Sequence, residues 1–209
     1  MRAPRLILAS GSPRRRELLT GAGFSFESDV PDLDESIHDG ESPVHATTRL
    51  AIEKAEAVAA RRTRTPGAIV HPHGEVVLAA DTTVVIGDRI LGKPVDRRDA
   101  VEMLLSLAGR NHLVLTAWAL LPTGAAAGGL RREPECGISR STVRMREISR
   151  ADAEAYADSG EPMDKAGAYA AQGEGRRFIG AIVGPLDNVI GLPMGAVVAA
   201  LARAGVVRA

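Results

Sequence analysis

The chain has 209 residues, 45% of them apolar, enough to bury a core without covalent staples, as one domain or as two lobes sharing a cleft. Its 26 basic and 26 acidic side chains balance, which excludes an overall field drawing it to nucleic acid or an anionic membrane, and 3% aromatic residues leave no stacking platform for single strands. The lone cysteine, Cys136, excludes an intrachain disulfide and a cysteine-built zinc site, and it reads as a bystander in a reducing compartment.

Residues 6–9 form a short apolar run without alternation, the pattern of a strand buried on both faces. The run is too short for a signal peptide or a membrane span, so the expected location is the cytoplasm, with no membrane partner. Ser12 at the N-cap and Pro13 at the first helical position predict a helix ending near Gly21 or Gly23. A short strand over 24–27 and an acidic loop over 32–35 precede Ser42-Pro43, which opens a long helix to about Ala60. Residues 61–75 lack periodicity and read as an exposed insertion. The apolar run 76–80 predicts a second buried strand that delivers Asp81-Thr82 at its end. Segments 84–86 and 89–91 flank Gly87-Asp88 as a small hairpin.

Asp96 caps a helix with apolar residues at 100, 101, 104, 105 and 108, stopped by Gly109. Residues 112–121 and 136–145 read as neighbouring antiparallel strands, with an exposed Gly/Ala loop between them. Ser149 opens a helix through Tyr156, residues 178–183 form a strand, and Pro193 starts a closing helix. No internal repeat is present, and the frequent alanine, arginine and glycine read as codon bias.

Four features carry chemistry. Arg14, Arg15 and Arg16 crowd the first turn of a helix, where like charge and the positive dipole end disfavour them by roughly 0.3–1 kcal/mol each. A triphosphate docked there reverses that sign, because free N–H groups, dipole and guanidinium forks converge on it; the plain alternative is a solvated basic turn. Asp81 closing an apolar strand needs a cleft, a cation or hydrogen bonds, and suits a Mg²⁺ ligand or a water-activating base as well as a simple turn. Lys93, pinned between Gly92 and Pro94, and Lys54 on the long helix are candidate phosphate ligands, whereas Glu53 gives Arg49 an ordinary helical ion pair. The glycine-rich span 159–169, followed by Gln172-Gly173, reads as backbone passing close to a ligand or as a mobile loop. The Gln172 amide suits the edge of a pyrimidine base. His71-Pro72-His73, His38, His45 and His112 are too scattered to build a metal centre.

Taken in order, Ser-Gly-Ser-Pro-Arg-Arg (10–15), Ala80-Asp81-Thr82, Leu91-Gly92-Lys93-Pro94, the run from Gly160-Glu161-Pro162 through Asp164-Lys165-Ala166-Gly167-Ala168-Tyr169, and Gly191-Leu192-Pro193 resemble the Maf family along nearly the whole chain. The resemblance implies a single Maf-like domain over 1–209, of mixed α/β class. In that fold a central twisted mixed sheet is flanked by helices in two lobes, as in the inosine-triphosphate pyrophosphatases, often as a homodimer. It implies cleavage of a nucleoside triphosphate between the α- and β-phosphates, assisted by Mg²⁺ or Mn²⁺. Asp81 matches the family's proton acceptor; Arg14, Thr82 and Gln172 match positions linked to substrate choice; Ser10, Arg15, Glu35, Lys54 and Lys93 match other cleft positions, with Glu35 and Asp81 as the metal ligands. The Asp-Lys-Ala-Gly-Ala-Tyr run followed by Gln-Gly resembles the dTTP/UTP branch. Ala170-Ala171 and Leu107-Ala108-Gly109 depart from the commoner Gly-Ile and Leu-Ser-Gly. The rivals are a 7-methyl-GTP or CTP pyrophosphatase and a nucleotide-binding regulator of septum formation.

Overall fold

The structure is a computed structural model describing residues 3–64, 73–124 and 133–209. The expected loop over 61–75 and the Gly/Ala loop lie partly outside the described residues, as do His71 and Pro72. The chain divides into two compact units. The first comprises residues 1–81, 117–138 and 191–209, and the second comprises 82–116 and 139–190.

The first unit is built on β1 (Arg5–Ala9), α1 (Pro13–Gly21), β2 (Phe26–Ser28), α2 (Pro43–Arg64), the first half of β3 (Glu75–Ile86), and α6 (Met194–Arg203). Ser12 caps α1 as expected: its side chain accepts from the Arg15 amide, and Pro13 follows it. The two-residue strand period sorts the apolar side chains onto two faces. Leu6, Leu8, Val76, Leu78 and Ala80 pack with Leu19 of α1 and with Val197, Ala200 and Leu201 of α6. Ile7, Ala9, Val77 and Ala79 face Ala51, Ala55, Val58 and Ala59 of α2. The alanines of this second cluster therefore have a packing use: without longer side chains, α2 lies close on the sheet, which codon bias does not explain.

The second unit holds the rest of β3, β4 (Arg89–Leu91), α3 (Arg97–Leu107), α4 (Arg150–Asp158), β7 (Ile179–Val183) and a short α5 (Leu186–Ile190). Its core joins Leu104 and Leu107 of α3 to Tyr156 of α4, Met145, Phe178 and Ile179. β5 (Asn111–Thr123) and β6 (Glu135–Met145) contribute residues to both units. The seven strands among the described residues share one sheet in the order β2-β1-β3-β5-β6-β7, with β4 on β3. β1 runs parallel to β2 and β3, whereas β4 on β3 and β7 on β6 are antiparallel, so the sheet is mixed, as expected. No described helix is long and apolar enough to cross a membrane.

At four places the structure differs from the expectations or adds to them. Asp81 does not close a strand: β3 runs unbroken to Ile86, because Thr82-Thr83-Val84-Val85-Ile86 is a β-branched run that continues the strand past the carboxylate. α2 extends to Arg64 instead of stopping near Ala60. Its last turn is held by Arg61 on Asp29 and by Arg62 on Glu27 and Glu75. The glycine-rich span, left open between a backbone passing close to a ligand and a mobile loop, folds as three successive 3-10 turns, over Glu161–Asp164, Ala166–Ala168 and Gly173–Phe178, with Ala168, Tyr169 and Ala170 buried. Helix α5 was not foreseen, since five residues are too few to show a period.

Candidate active site

In the first unit, period two places Val77, Ala79 and Asp81 on the face that meets α2. On α2, Ala51, Ala55 and Val58 carry the packing, and Lys54 projects from the same region of the helix. Lys54 and Asp81 are both buried, at 6% and 7% exposure. The Lys54 ammonium donates to Asp81 Oδ1 at 2.7 Å and pairs with Glu35 Oε2 at 2.8 Å. The Lys54 ammonium thus pairs with two carboxylates, and the more solvated one, Glu35, comes from the acidic loop before α2. The desolvation that a buried carboxylate demands is met here by an ammonium.

Beside this triad, Arg15 is folded back from the first turn of α1. Its Nε donates to the Gly191 carbonyl at 2.8 Å and its Nη1 to Ser10 Oγ at 3.1 Å. Ser10, itself buried, also accepts from the Ser12 amide. Burial lowers the Arg15 guanidinium from its ordinary value; Asp81 opposes this, Arg14 adds to it and Glu35 opposes it. Asp81, Arg14 and Glu35 are therefore each within electrostatic reach of Arg15, which stays a cation. Arg49, by contrast, is consumed by Glu41 and Glu53, as its spacing indicated. Arg15 thus connects Ser10 by a hydrogen bond, and Arg14, Glu35 and Asp81 by charge, while Lys54 joins the two carboxylates.

Thr82, Lys93 and Gln172 belong to the second unit. The Thr82 hydroxyl meets Thr116 Oγ1 at 3.1 Å, and Thr116 donates to the Asn188 carbonyl at 2.8 Å. Asn188 is fully buried, and its amide nitrogen donates to the Val114 carbonyl and Ser141 Oγ. Lys93 is exposed on the turn after β4, where the Gly92 carbonyl accepts from the Gly167 amide at 3.0 Å. That bond ties the lysine turn to the glycine-rich segment. Gly167 has φ +69°, and a Cβ there would lie 2.9 Å from Val84 Cγ1, so only glycine lets the segment settle on β3. Gln172 is exposed at the start of the last 3-10 turn.

Sequence reasoning missed Thr116, Asn188, Tyr156 and Glu161 as members of these networks. Thr116 and Asn188 lie 72 residues apart, and nothing local marks them. Glu161 stood inside the quoted motif, but its work shows only in three dimensions: Oε2 accepts from the Tyr156 hydroxyl at 2.6 Å and the Gly175 amide at 2.9 Å, and Oε1 from the Glu174 amide at 3.2 Å.

Comparison with known proteins now decides the relationship. The family described as Maf-like protein matches residues 5–204. The chain belongs to the Maf family. Among its relatives, the "dTTP/UTP pyrophosphatase" of Myxococcus xanthus is 46% identical over 96% of this chain and 92% of that one. The proteins of the same name from Hahella chejuensis and Anaeromyxobacter dehalogenans are 44% and 43% identical, each over 97% of this chain and 93% or more of their own. Among solved structures, a HAM1 protein from Coxiella burnetii overlaps 68% of this chain and 73% of its own at a TM-score of 0.42 and 18% identity, too partial to bear on function. Within the Maf family match lie all of Ser10, Arg14, Arg15, Glu35, Lys54, Asp81, Thr82, Lys93 and Gln172.

Proposed function

We propose that this Maf protein hydrolyses dTTP and UTP to the nucleoside monophosphate and pyrophosphate. The observation that carries the reading is the Lys54–Asp81–Glu35 triad beside Arg15 on the first turn of α1. A helix start of the kind that suits an anion carries Arg15, which lies within electrostatic reach of a buried carboxylate paired with an ammonium. Relatives of the same name, matched over almost their whole length, support the choice of substrate.

The reaction adds water across the α–β anhydride: the bridging P–O bond breaks, water's oxygen bonds to phosphorus, and its proton leaves. Asp81 is the proposed acceptor of that proton and orients the attacking water. Arg14, Arg15 and Lys54 spread positive charge over the phosphates, which lowers the cost of added negative charge in the transition state. Ser10 fixes Arg15 through the Oγ contact. Substrate contacts by Thr82, Lys93 and Gln172, expected from the family resemblance, belong to the same proposal.

A divalent cation, Mg²⁺ or Mn²⁺, belongs to the proposal. Asp81 and Glu35, which share the Lys54 ammonium, are the carboxylates proposed to hold it. Two carboxylates fit an ion such as Mg²⁺, which takes one or two protein carboxylates and completes its shell with phosphate oxygens and water. Once bound, it supplies charge neutralisation on the phosphates. The same likeness proposes a cytoplasmic homodimer, which sedimentation checks.

The deciding experiment incubates dTTP, UTP, CTP and 7-methyl-GTP with Mg²⁺ or Mn²⁺ and quantifies pyrophosphate separately from orthophosphate. Pyrophosphate from dTTP and UTP is the expected product. Orthophosphate alone refutes the cleavage position, and no product at all refutes the enzyme. Asp81→Asn keeps shape while losing charge, so turnover should fall about 10²–10⁴-fold; an unchanged turnover number removes Asp81 from its role.

A further inference from the structure

Gln172 stands exposed on a segment whose two flanks are both tied to one pair of side chains, the buried Tyr156 and the half-buried Glu161. Before Gln172, the Ala170 amide donates to the Tyr156 hydroxyl at 3.2 Å. After it, the Glu174 and Gly175 amides donate to the two oxygens of Glu161 at 3.2 and 2.9 Å. The Tyr156 hydroxyl closes the arrangement by donating to Glu161 Oε2 at 2.6 Å. A phenol that accepts one backbone N–H and donates to a carboxylate that takes two more forms a bridge across the base of the loop.

The backbone is shaped around this bridge. Gly173 has φ +73°, and a Cβ there would fall 2.1 Å from Glu161 Oε1, while a Cβ on Gly175 would fall 2.5 Å from the Tyr156 hydroxyl. Ala168, buried on the approach, takes φ +57° without being glycine, a conformation that persists only where surroundings impose it. Burial raises the Glu161 carboxyl, but the Tyr156 hydroxyl and the Gly175 and Glu174 amides outweigh it and hold the group below the usual carboxylate range. The acceptor is therefore a carboxylate at neutral pH. Tyr156 is also fixed at its ring, edge-on to Phe178 with centroids 5.3 Å apart.

A merely structural loop does not need both flanks of one exposed amide pinned. We infer that Tyr156 and Glu161 are positioning residues that hold the Gln172 amide rigid for the base edge of the nucleotide, and so set base selectivity without touching the phosphates. The inference rests on the pyrimidine-nucleotide reading and deepens it. Pre-organising a recognition amide removes its ordering cost on binding, and loosening it costs discrimination more than chemistry.

The test uses Glu161→Gln and Tyr156→Phe in the full chain. Glutamine keeps one oxygen but turns an NH₂ towards backbone N–H donors, while phenylalanine removes only the hydroxyl and keeps the ring packing. With dTTP, UTP, CTP and 7-methyl-GTP, each variant should lose about tenfold in the ratio of kcat/KM for dTTP over CTP. The loss should fall mainly on KM, with kcat within about threefold. In a Gln172→Ala background, Glu161→Gln should produce no further loss of the ratio. Amide hydrogen exchange without nucleotide should show residues 170–175 opening at least tenfold faster in Glu161→Gln. An unchanged selectivity ratio, an equal loss in the Gln172→Ala background, or unchanged exchange overturns the positioning role. A parent protein that cuts none of the nucleotides overturns the functional reading instead, and exchange still judges the bridge.

Discussion

Lys54→Met isolates the electrostatics of the triad. The substitution keeps most of the aliphatic stem that packs under α2 and removes only the ammonium. It takes from Asp81, which is 7% exposed, the ammonium 2.7 Å away. Breaking a buried pair from one side costs about 3–5 kcal/mol, because the remaining charge keeps its desolvation penalty. The Glu35 side chain is 47% exposed, so water replaces the lysine there and its share stays under about 1 kcal/mol. Arg15 lies in electrostatic reach of Asp81 and offsets part of the loss, which favours the lower end, about 3 kcal/mol. For a chain of this size that is about 6–12 °C in Tm. Adding Asp81→Asn to Lys54→Met removes the buried charge that has lost its ammonium, so the double variant should regain about 1–2 kcal/mol over Lys54→Met alone. Urea and thermal melts of the parent, both single variants and the double variant complete the cycle. A Lys54→Met protein within 0.5 kcal/mol of the parent, as for an exposed pair, or a double variant whose loss equals the sum of the singles, refutes the buried triad.

Arg15→Lys keeps the charge but cannot reproduce the two-point grip on Gly191 and Ser10 at 2.8 and 3.1 Å. Steady-state kinetics should show kcat/KM reduced at least tenfold with little change in far-UV circular dichroism, and full activity in the lysine variant contradicts the role of the guanidinium fork. His112, buried on Tyr169 at 2.7 Å, is pushed down by burial to about 4. In the unfolded chain it titrates near 6.5. Between those values the unfolded chain binds the extra proton, so stability is full above about pH 6.5 and declines towards pH 4 by about 3 kcal/mol. Urea midpoints measured from pH 7 to 4.5 should fall in the parent and fall less steeply in His112→Phe; parallel slopes exclude His112 as the cause.

Much of this was written locally. Ser12-Pro13 set the start of α1, and Gly87-Asp88 set the hairpin of β3 and β4, because caps and tight turns are decided by one or two residues. Arg49 was set aside correctly from its i, i+4 partner. Asp81 was read as a strand end because a charge after five apolar residues looks like a boundary. The β-branched run after it carries the opposite signal, and the lysine that makes an internal carboxylate tolerable lies 27 residues away. The Tyr156–Glu161 bridge was illegible for a related reason. A glycine-rich stretch has the composition of a loose loop, and whether it is loose depends on acceptors supplied from outside it.

β3 shows why the site and the fold are one problem. Asp81 and Thr82 are consecutive, so the pleat sends their side chains to opposite faces: one to Lys54 of α2, the other to the Thr116 hydroxyl. A slip of one residue would exchange them and destroy both arrangements. Neither polar contact has to hold that alignment by itself. Val76, Leu78 and Ala80 are committed to the cluster with α1 and α6, and Val77 and Ala79 to the cluster with α2. Each large aliphatic turned out of its core would lose about 1.5–3 kcal/mol. Hydrophobic burial therefore fixes the register, and the register places the carboxylate. A charge costly to bury can persist inside the sheet because the strand that carries it has no other alignment to adopt.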